Sequence, residues 1–169
     1  SDDGPRLRSA NVIVCTGGVS RRLPLPGFEL TCTHSDAWRL ESAPDSLLVI
    51  GAGATGVQVA SVFNAFGSRV TLFEAAPRIL MSEDEQVAAA MSTALQASGV
   101  RVLEHAGTIE RFEQSPAGVR LVYSGSDARA EIDATLVVVA VGWVANTDPL
   151  DLAVAGVETD PRGYIKVDS

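Results

Sequence analysis

A chain of 169 residues can build one domain around a real core, or one domain with pieces of another. Its net charge of −8, with Lys and Arg scattered rather than clustered, argues against nucleic acid or an anionic membrane surface as a partner. Apolar residues make up 46% and charged ones 20%, an ordinary globular composition, and neither a membrane-spanning run nor a signal-peptide pattern is present.

The expectation is therefore a cytoplasmic protein. Cys15 and Cys32 are too far apart for a C-x-x-C or other short redox motif, and each reads as an inert thiol. His34 and His105 have no second ligand at metal spacing, so no metal site is expected.

Taken in order, Ser1 to Ala10 are polar, with Gly4-Pro5 as a turn signal, in keeping with the tail of a hairpin. Val12-Ile13-Val14-Cys15 has the apolar, β-branched character of a short buried strand, halted by Thr16-Gly17-Gly18. A loop punctuated by Pro24, Pro26 and Gly27 follows. Ser35 to Leu40 predicts a single helical turn, and Ser42-Ala43-Pro44 a linker.

Leu47-Leu48-Val49-Ile50 then runs into Gly51-Ala52-Gly53-Ala54-Thr55-Gly56, the G-x-G-x-x-G spacing. Gly51 permits a tight strand-to-helix turn, Gly53 lets a pyrophosphate approach the backbone, and Gly56 lets the helix pack close to the strand. Phosphates would sit at the helix N-terminus, where unpaired N–H groups and the dipole favour negative charge. Val59, Val62, Phe63 and Phe66 form the expected apolar stripe, and Gly67 is the helix stop. Arg69 to Phe73 predicts a second strand, ending at Glu74. That carboxylate falls near the ~20-residue offset at which an acid accepts hydrogen bonds from an adenosine ribose. A solubilising strand end is the plainer alternative, and the glycines beside it favour the ribose.

After the loop Ala75-Ala76-Pro77-Arg78, Ser82 and Glu85 read as a capping box for a second helix with Val87, Met91, Ala94 and Leu95 as its apolar face. Gly99 ends it, and Val100 to Glu104 is a third strand. The pattern then changes to strands alone. Thr108 to Glu113, Val119 to Tyr123 and Arg129 to Ile132 are broken by Ser115-Pro116-Ala117-Gly118 and Ser124-Gly125-Ser126, an antiparallel meander. Leu136 to Val141 suits a central strand buried on both faces. Gly142-Trp143 and a turn at Asn146-Thr147-Asp148-Pro149 follow it, and Tyr164 to Val167 is the last strand candidate.

This succession resembles the pyridine-nucleotide-binding domain of the flavoprotein disulfide reductases, the group of dihydrolipoamide dehydrogenase, mercuric reductase and glutathione reductase. Val12 to Gly17, with Pro24-Leu25-Pro26-Gly27 behind it, resembles the segment by which the family's FAD domain hands over to its NAD domain. Gly51 to Gly56, Glu74 and Arg78-Ile79-Leu80 match the nucleotide fingerprint and its sequel. Val139-Ala140-Val141-Gly142 followed by Asn146-Thr147 looks like the closing glycine motif, and Gly156 to Asp168 like the return into the FAD domain.

The resemblance implies an α/β fold: a Rossmann-type parallel sheet with helices on both faces and a three-stranded meander on one side. It implies the end of an FAD-binding domain plus linker over residues 1–43, an NAD(H)-binding domain over 44–148, and a return segment over 149–169. It also implies NAD preferred over NADP, and FAD, a dimerisation domain and a homodimeric assembly in a longer enzyme, the 169-residue portion being inactive by itself. The implied cofactor-binding positions are Thr16 and Gly17 on the flavin side, Gly51, Ala52, Gly53, Ala54, Thr55 and Gly56 at the pyrophosphate, Glu74 at the ribose, and Gln58 and Gly142 at the nicotinamide. No catalytic side chain is assigned.

The chain departs from the family's pattern in two places. Gln58 stands where the family usually has a glutamate that pairs with a lysine near the flavin; it either faces the nicotinamide or is a plain polar helix residue. Trp143-Val144-Ala145 replaces a usual Arg-x-Pro, and Trp143 either stacks on a ligand or is covered by another domain. A non-catalytic dinucleotide-sensing module and a Rossmann-like methyltransferase share parts of the fingerprint. The meander and the Thr16-Gly17 segment argue against the methyltransferase.

Overall fold

A computed structural model describes residues 7–125 and 128–168. The Gly4-Pro5 turn signal and Ser126 of the second meander turn lie outside these residues. The chain divides into two compact units, Ser20–Trp143 and the paired terminal segments Ser1–Val19 and Val144–Ser169. In chain order the strands are β1 (Gly18–Ser20), β2 (Cys32–Thr33), β3 (Ser46–Ile50), β4 (Arg69–Phe73), β5 (Arg101–Leu103), β6 (Thr108–Ser115), β7 (Gly118–Ser124), β8 (Arg129–Ala134), β9 (Leu136–Val139) and β10 (Trp143–Ala145). The α-helices are α1 (His34–Ala37), α2 (Ala54–Ala65) and α3 (Glu85–Ala97).

The larger unit is built on a five-stranded sheet of order β2-β9-β3-β4-β5, and every pairing in it is parallel. Strand alternation sorts its side chains into two cores. Leu47 and Val49 of β3 pack with Val57, Val59, Ala60 and Phe63 of α2 and with Ala88 and Leu95 of α3. Leu48 and Ile50 point the other way, onto Phe112, Leu121 and Ile132 of the meander β6-β7-β8. The helices therefore share one face and the meander covers the other, which corrects the expectation of helices on both faces. The meander takes the place of a crossover helix and buries the same apolar stripe. β9 is fully buried at Val137, Val138 and Val139, as a strand covered on both faces must be.

Several local expectations change. Val12–Cys15 forms no strand; Val12 and Ile13 are 81% and 86% exposed, and no ladder pairs them among the described residues. Phe66 caps the end of α2 rather than joining its buried stripe, because it lies past the last turn. The N-cap of α3 is Asp84, whose Oδ1 accepts from the amides of Gln86 and Val87, while Ser82 lies two residues before that cap and bonds to Glu83. The buried face of α3 is Ala88, Ser92 and Leu95, one position on from the predicted stripe, with Val87 and Met91 partly exposed. Small residues there let the helix approach the sheet closely.

In the smaller unit, Asn146 ties two segments together: its amide donates to the Gly17 carbonyl at 3.1 Å and its side chain to the Thr16 carbonyl at 3.1 Å. Thr147 Oγ1 donates to the Gly163 carbonyl at 2.8 Å. Tyr164–Val167 forms no strand, only a single bridge between Thr159 and Ile165.

Candidate functional site

The parallel strands β3, β4 and β9 deliver their C-terminal ends to one edge of the sheet, where open α/β sheets bind ligands. A cleft of about 620 Å³ opens there, lined by Gly51, Gly53, Ala54, Thr55, Glu74, Met81, Ser82, Ala140, Val141, Gly142 and Trp143. Gly51, Gly53, Ala54, Thr55, Glu74 and Gly142, drawn from distant parts of the chain, thus meet in one place, while Ala52 and Gly56 are buried behind the turn and do not line the cleft. Gln58 does not join the cleft residues: it is exposed on α2 and absent from the lining. Thr16 and Gly17 belong to the other unit.

Each glycine has a separate physical reason. Gly51 has φ +92°, and a Cβ there would come within 2.7 Å of the Ala140 carbonyl oxygen. A Cβ on Gly56 would meet the Gly51 oxygen at 1.8 Å, so the first turn of α2 closes on the loop only with glycine in place. Gly53 differs: its φ of −70° suits any residue, and an added Cβ would meet nothing within 4 Å. The fold does not require that glycine. The open space over it belongs to the cleft.

Gly53 is the N-cap of α2 and supplies no side-chain cap, and the helix has no acidic residue in its first turn. Among the described residues, the amides of Ala54 and Thr55 donate to no protein acceptor. α3 satisfies its own N-terminus with Asp84; α2 leaves its donors to whatever enters the cleft. This is the donor set for a phosphate, and the residues present fit one.

Glu74 is fixed at both oxygens. Oε2 accepts from the Ala52 amide at 2.7 Å and Oε1 from the Ala76 amide at 2.8 Å. A carboxylate has about four acceptor positions, so two remain for hydroxyl donors. The Leu80 amide donates to the Ala52 carbonyl at 2.8 Å, which clamps the loop after β4 to the glycine turn. Leu80 sits at φ +50°, an uncommon setting for its side chain, and Arg78 holds it there by donating to the carbonyls of Leu80 at 2.6 Å and Glu83 at 2.9 Å. Arg78 is thus a loop clasp.

Among the described residues, the cleft lining contains no Lys or Arg. A second, smaller cleft of about 300 Å³ shares Gly51, Glu74 and Val141 with the first and is otherwise mostly apolar, including Leu23, Leu25, Phe73 and Ile109. Cys32, in β2, has its thiol pushed up to about 11 by burial and by the nearby Asp36 carboxylate, so it stays protonated and is a poor nucleophile. Met81, Ser82, Ala140 and Val141 line the cleft without having been expected to. Two of them follow the Arg78-Ile79-Leu80 segment, whose clamp to Ala52 has no signature in sequence.

A parallel sheet with a glycine turn, an acid at the end of the next strand and a meander on the far face defines a Rossmann-type domain. The chain belongs to the pyridine nucleotide-disulphide oxidoreductase family, whose pattern matches residues 1–169. It is 36% identical over 161 residues to the dihydrolipoyl dehydrogenase of Geobacillus stearothermophilus, covering 94% of this chain and 34% of that protein. It is 30% identical over 167 residues to the mercuric reductase of Lysinibacillus sphaericus, covering 98% and 30%. The HOCl-induced flavoprotein disulfide reductase RclA from Escherichia coli superimposes with a TM-score of 0.80 at 29% identity, over 91% of this chain and 35% of that one. The chain therefore spans about a third of the length of the curated relatives it matches. Among the described residues, no helix is long and apolar enough to cross a membrane.

Proposed function

We propose that this chain is the NAD(H)-binding portion of a longer, cytoplasmic, homodimeric FAD-dependent oxidoreductase, and that it presents the nicotinamide for hydride transfer to the flavin. The observation that carries this reading is the uncapped N-terminus of α2, opening over Gly53 into a cleft in which Glu74 is, among the described residues, the only charged wall residue. Hydride transfer is the cofactors' own chemistry, and the chain's part is to bind and orient. The amides of Ala54 and Thr55 receive the pyrophosphate, and the two remaining acceptor positions of Glu74 receive the adenosine ribose hydroxyls. The base attached to that ribose then enters the smaller cleft beyond Glu74, whose apolar walls suit a purine. The nicotinamide half runs the opposite way, toward Gly142. In this assignment the terminal segments belong to the flavin side, Thr16 and Gly17 among them, and other parts of the longer protein supply the FAD and dimer contacts.

The charge balance of the site favours NAD(H) over NADP(H). A 2′-phosphate on the ribose would face the Glu74 carboxylate, and like charges a few ångströms apart repel by about 1 kcal/mol in water and several when partly desolvated. Ala75 follows the strand where a cation would be needed, and Arg78 is committed to backbone carbonyls. A preference for NADH of at least roughly tenfold is expected. Calorimetric titration of the chain with each reduced nucleotide tests it. Equal or tighter binding of NADPH would mean that Glu74 does not read the ribose.

A further inference from the structure

One residue of the cleft wall, and a second packed against it, have no part in holding the pyrophosphate or the ribose. Trp143 lines the cleft next to Gly142 and is 45% exposed. His34, at the start of α1, is buried at 4% exposure, and its ring centroid lies 4.3 Å from that of Trp143 with the planes 63° apart. This is an edge-to-face contact, an arrangement that attracts because ring edges are positive and ring faces negative.

The imidazole is held in turn. Its Nδ1 lies 3.4 Å from Ser20 Oγ and its Nε2 3.4 Å from Ser35 Oγ. Thr33 and Asp36 form a reciprocal capping box that fixes the start of α1, with the Thr33 amide and hydroxyl both donating to Asp36 Oδ2 at 2.9 and 2.7 Å. Burial lowers the His34 pKa, Asp36 opposing it, so the ring is neutral near pH 7. A neutral imidazole offers one donor and one acceptor, and two hydroxyls can satisfy both.

We propose that Trp143 is the surface on which the nicotinamide ring stacks, and that His34 is the positioning residue that holds the indole in place for it. An indole gives a flat apolar face, and its negative π-surface attracts the positive charge that the oxidised nicotinamide carries. The neighbouring cleft residues Gly53, Ala54 and Gly142 are too small to compete with a ring for that space. The inference rests on the dinucleotide occupying the cleft as proposed above.

ADP-ribose carries everything in NAD+ except the nicotinamide, so comparing the two separates the Trp143 contact from the rest of the site. Calorimetry should show the unmodified chain binding NAD+ more tightly than ADP-ribose, with the following results expected of the variants. Trp143→Ala weakens NAD+ roughly five- to tenfold and leaves ADP-ribose unchanged, which also shows that the variant is folded. Trp143→Phe keeps a flat ring and retains most of the difference. His34→Ala lowers NAD+ affinity selectively, and His34→Phe, which keeps a ring against the indole, restores it. Three results overturn the proposal and leave the reading of the cleft standing: equal losses for both ligands, no loss for either, or an unmodified chain that binds NAD+ no tighter than ADP-ribose. An unmodified chain that binds neither ligand overturns both.

Discussion

Gly53 and Gly56 are three residues apart, yet their missing Cβ atoms do different things. At Gly56 the fold itself occupies the space, since a Cβ would press on the Gly51 oxygen at 1.8 Å. At Gly53 the space is open and the backbone is unstrained. Gly53→Val should therefore leave the thermal midpoint within a few degrees of the parent while lowering NADH affinity more than about tenfold. Gly56→Ala should do the reverse in kind, destabilising the chain by about 1–3 kcal/mol as an overpacked contact. Thermal unfolding and calorimetry on both variants separate the two roles, and wild-type NADH affinity in Gly53→Val would remove Gly51–Gly56 as the phosphate site. These positions are legible in sequence because the motif's spacing is itself a backbone geometry. The clasp formed by Arg78 is not, because its partners are carbonyl groups, which every residue carries.

At the level of elements, apolar pattern gives strand and helix identity more readily than the buried face or the cap. The segment 82–97 reads as a helix either way, but its side chains nearest the sheet are Ala88, Ser92 and Leu95, two of them small and one polar. Hydropathy points one position back, to Val87 and Met91, since it weighs size where the packing needs closeness. The cap shifts for a related reason: Ser82 and Glu85 have the right spacing, but only a residue directly before the first helical turn can reach its amides. Asp84→Ala should cost about 1 kcal/mol, equivalent to roughly 2–4 °C in thermal midpoint for a chain of this size, whereas Ser82→Ala should change it little. A larger loss from Ser82→Ala would restore the capping box read from the sequence. The apolar segments Val12–Cys15 and Tyr164–Val167 carry strand-like composition without a ladder, and composition alone does not say what a strand would pair with.

For the whole molecule, the distribution of the core decides which part of the chain should stand alone. Both hydrophobic clusters draw all their residues from between Leu23 and Val141, inside the unit Ser20–Trp143. That unit also contains every residue lining the two clefts that flank Glu74. The alternation of β3 between the two clusters makes a single sheet serve both, so the unit buries apolar surface on each face without further partners. Residues 20–31 are part of this arrangement, with Leu23, Leu25, Phe28 and Leu30 packed on the meander side. A shortened chain of residues 18–145, which keeps β1 and β10 whole, should therefore fold cooperatively and bind NADH within about twofold of the full chain, a difference below roughly 0.4 kcal/mol. The shortened chain lacks Thr16 and Gly17, so the comparison also tests their assignment to the flavin side. Circular dichroism on heating reports the fold, and calorimetry reports the site. A shortened chain that melts cooperatively but loses NADH would mean that the terminal segments hold the nucleotide directly, and the division between a nucleotide unit and a flavin-side unit would have to be redrawn.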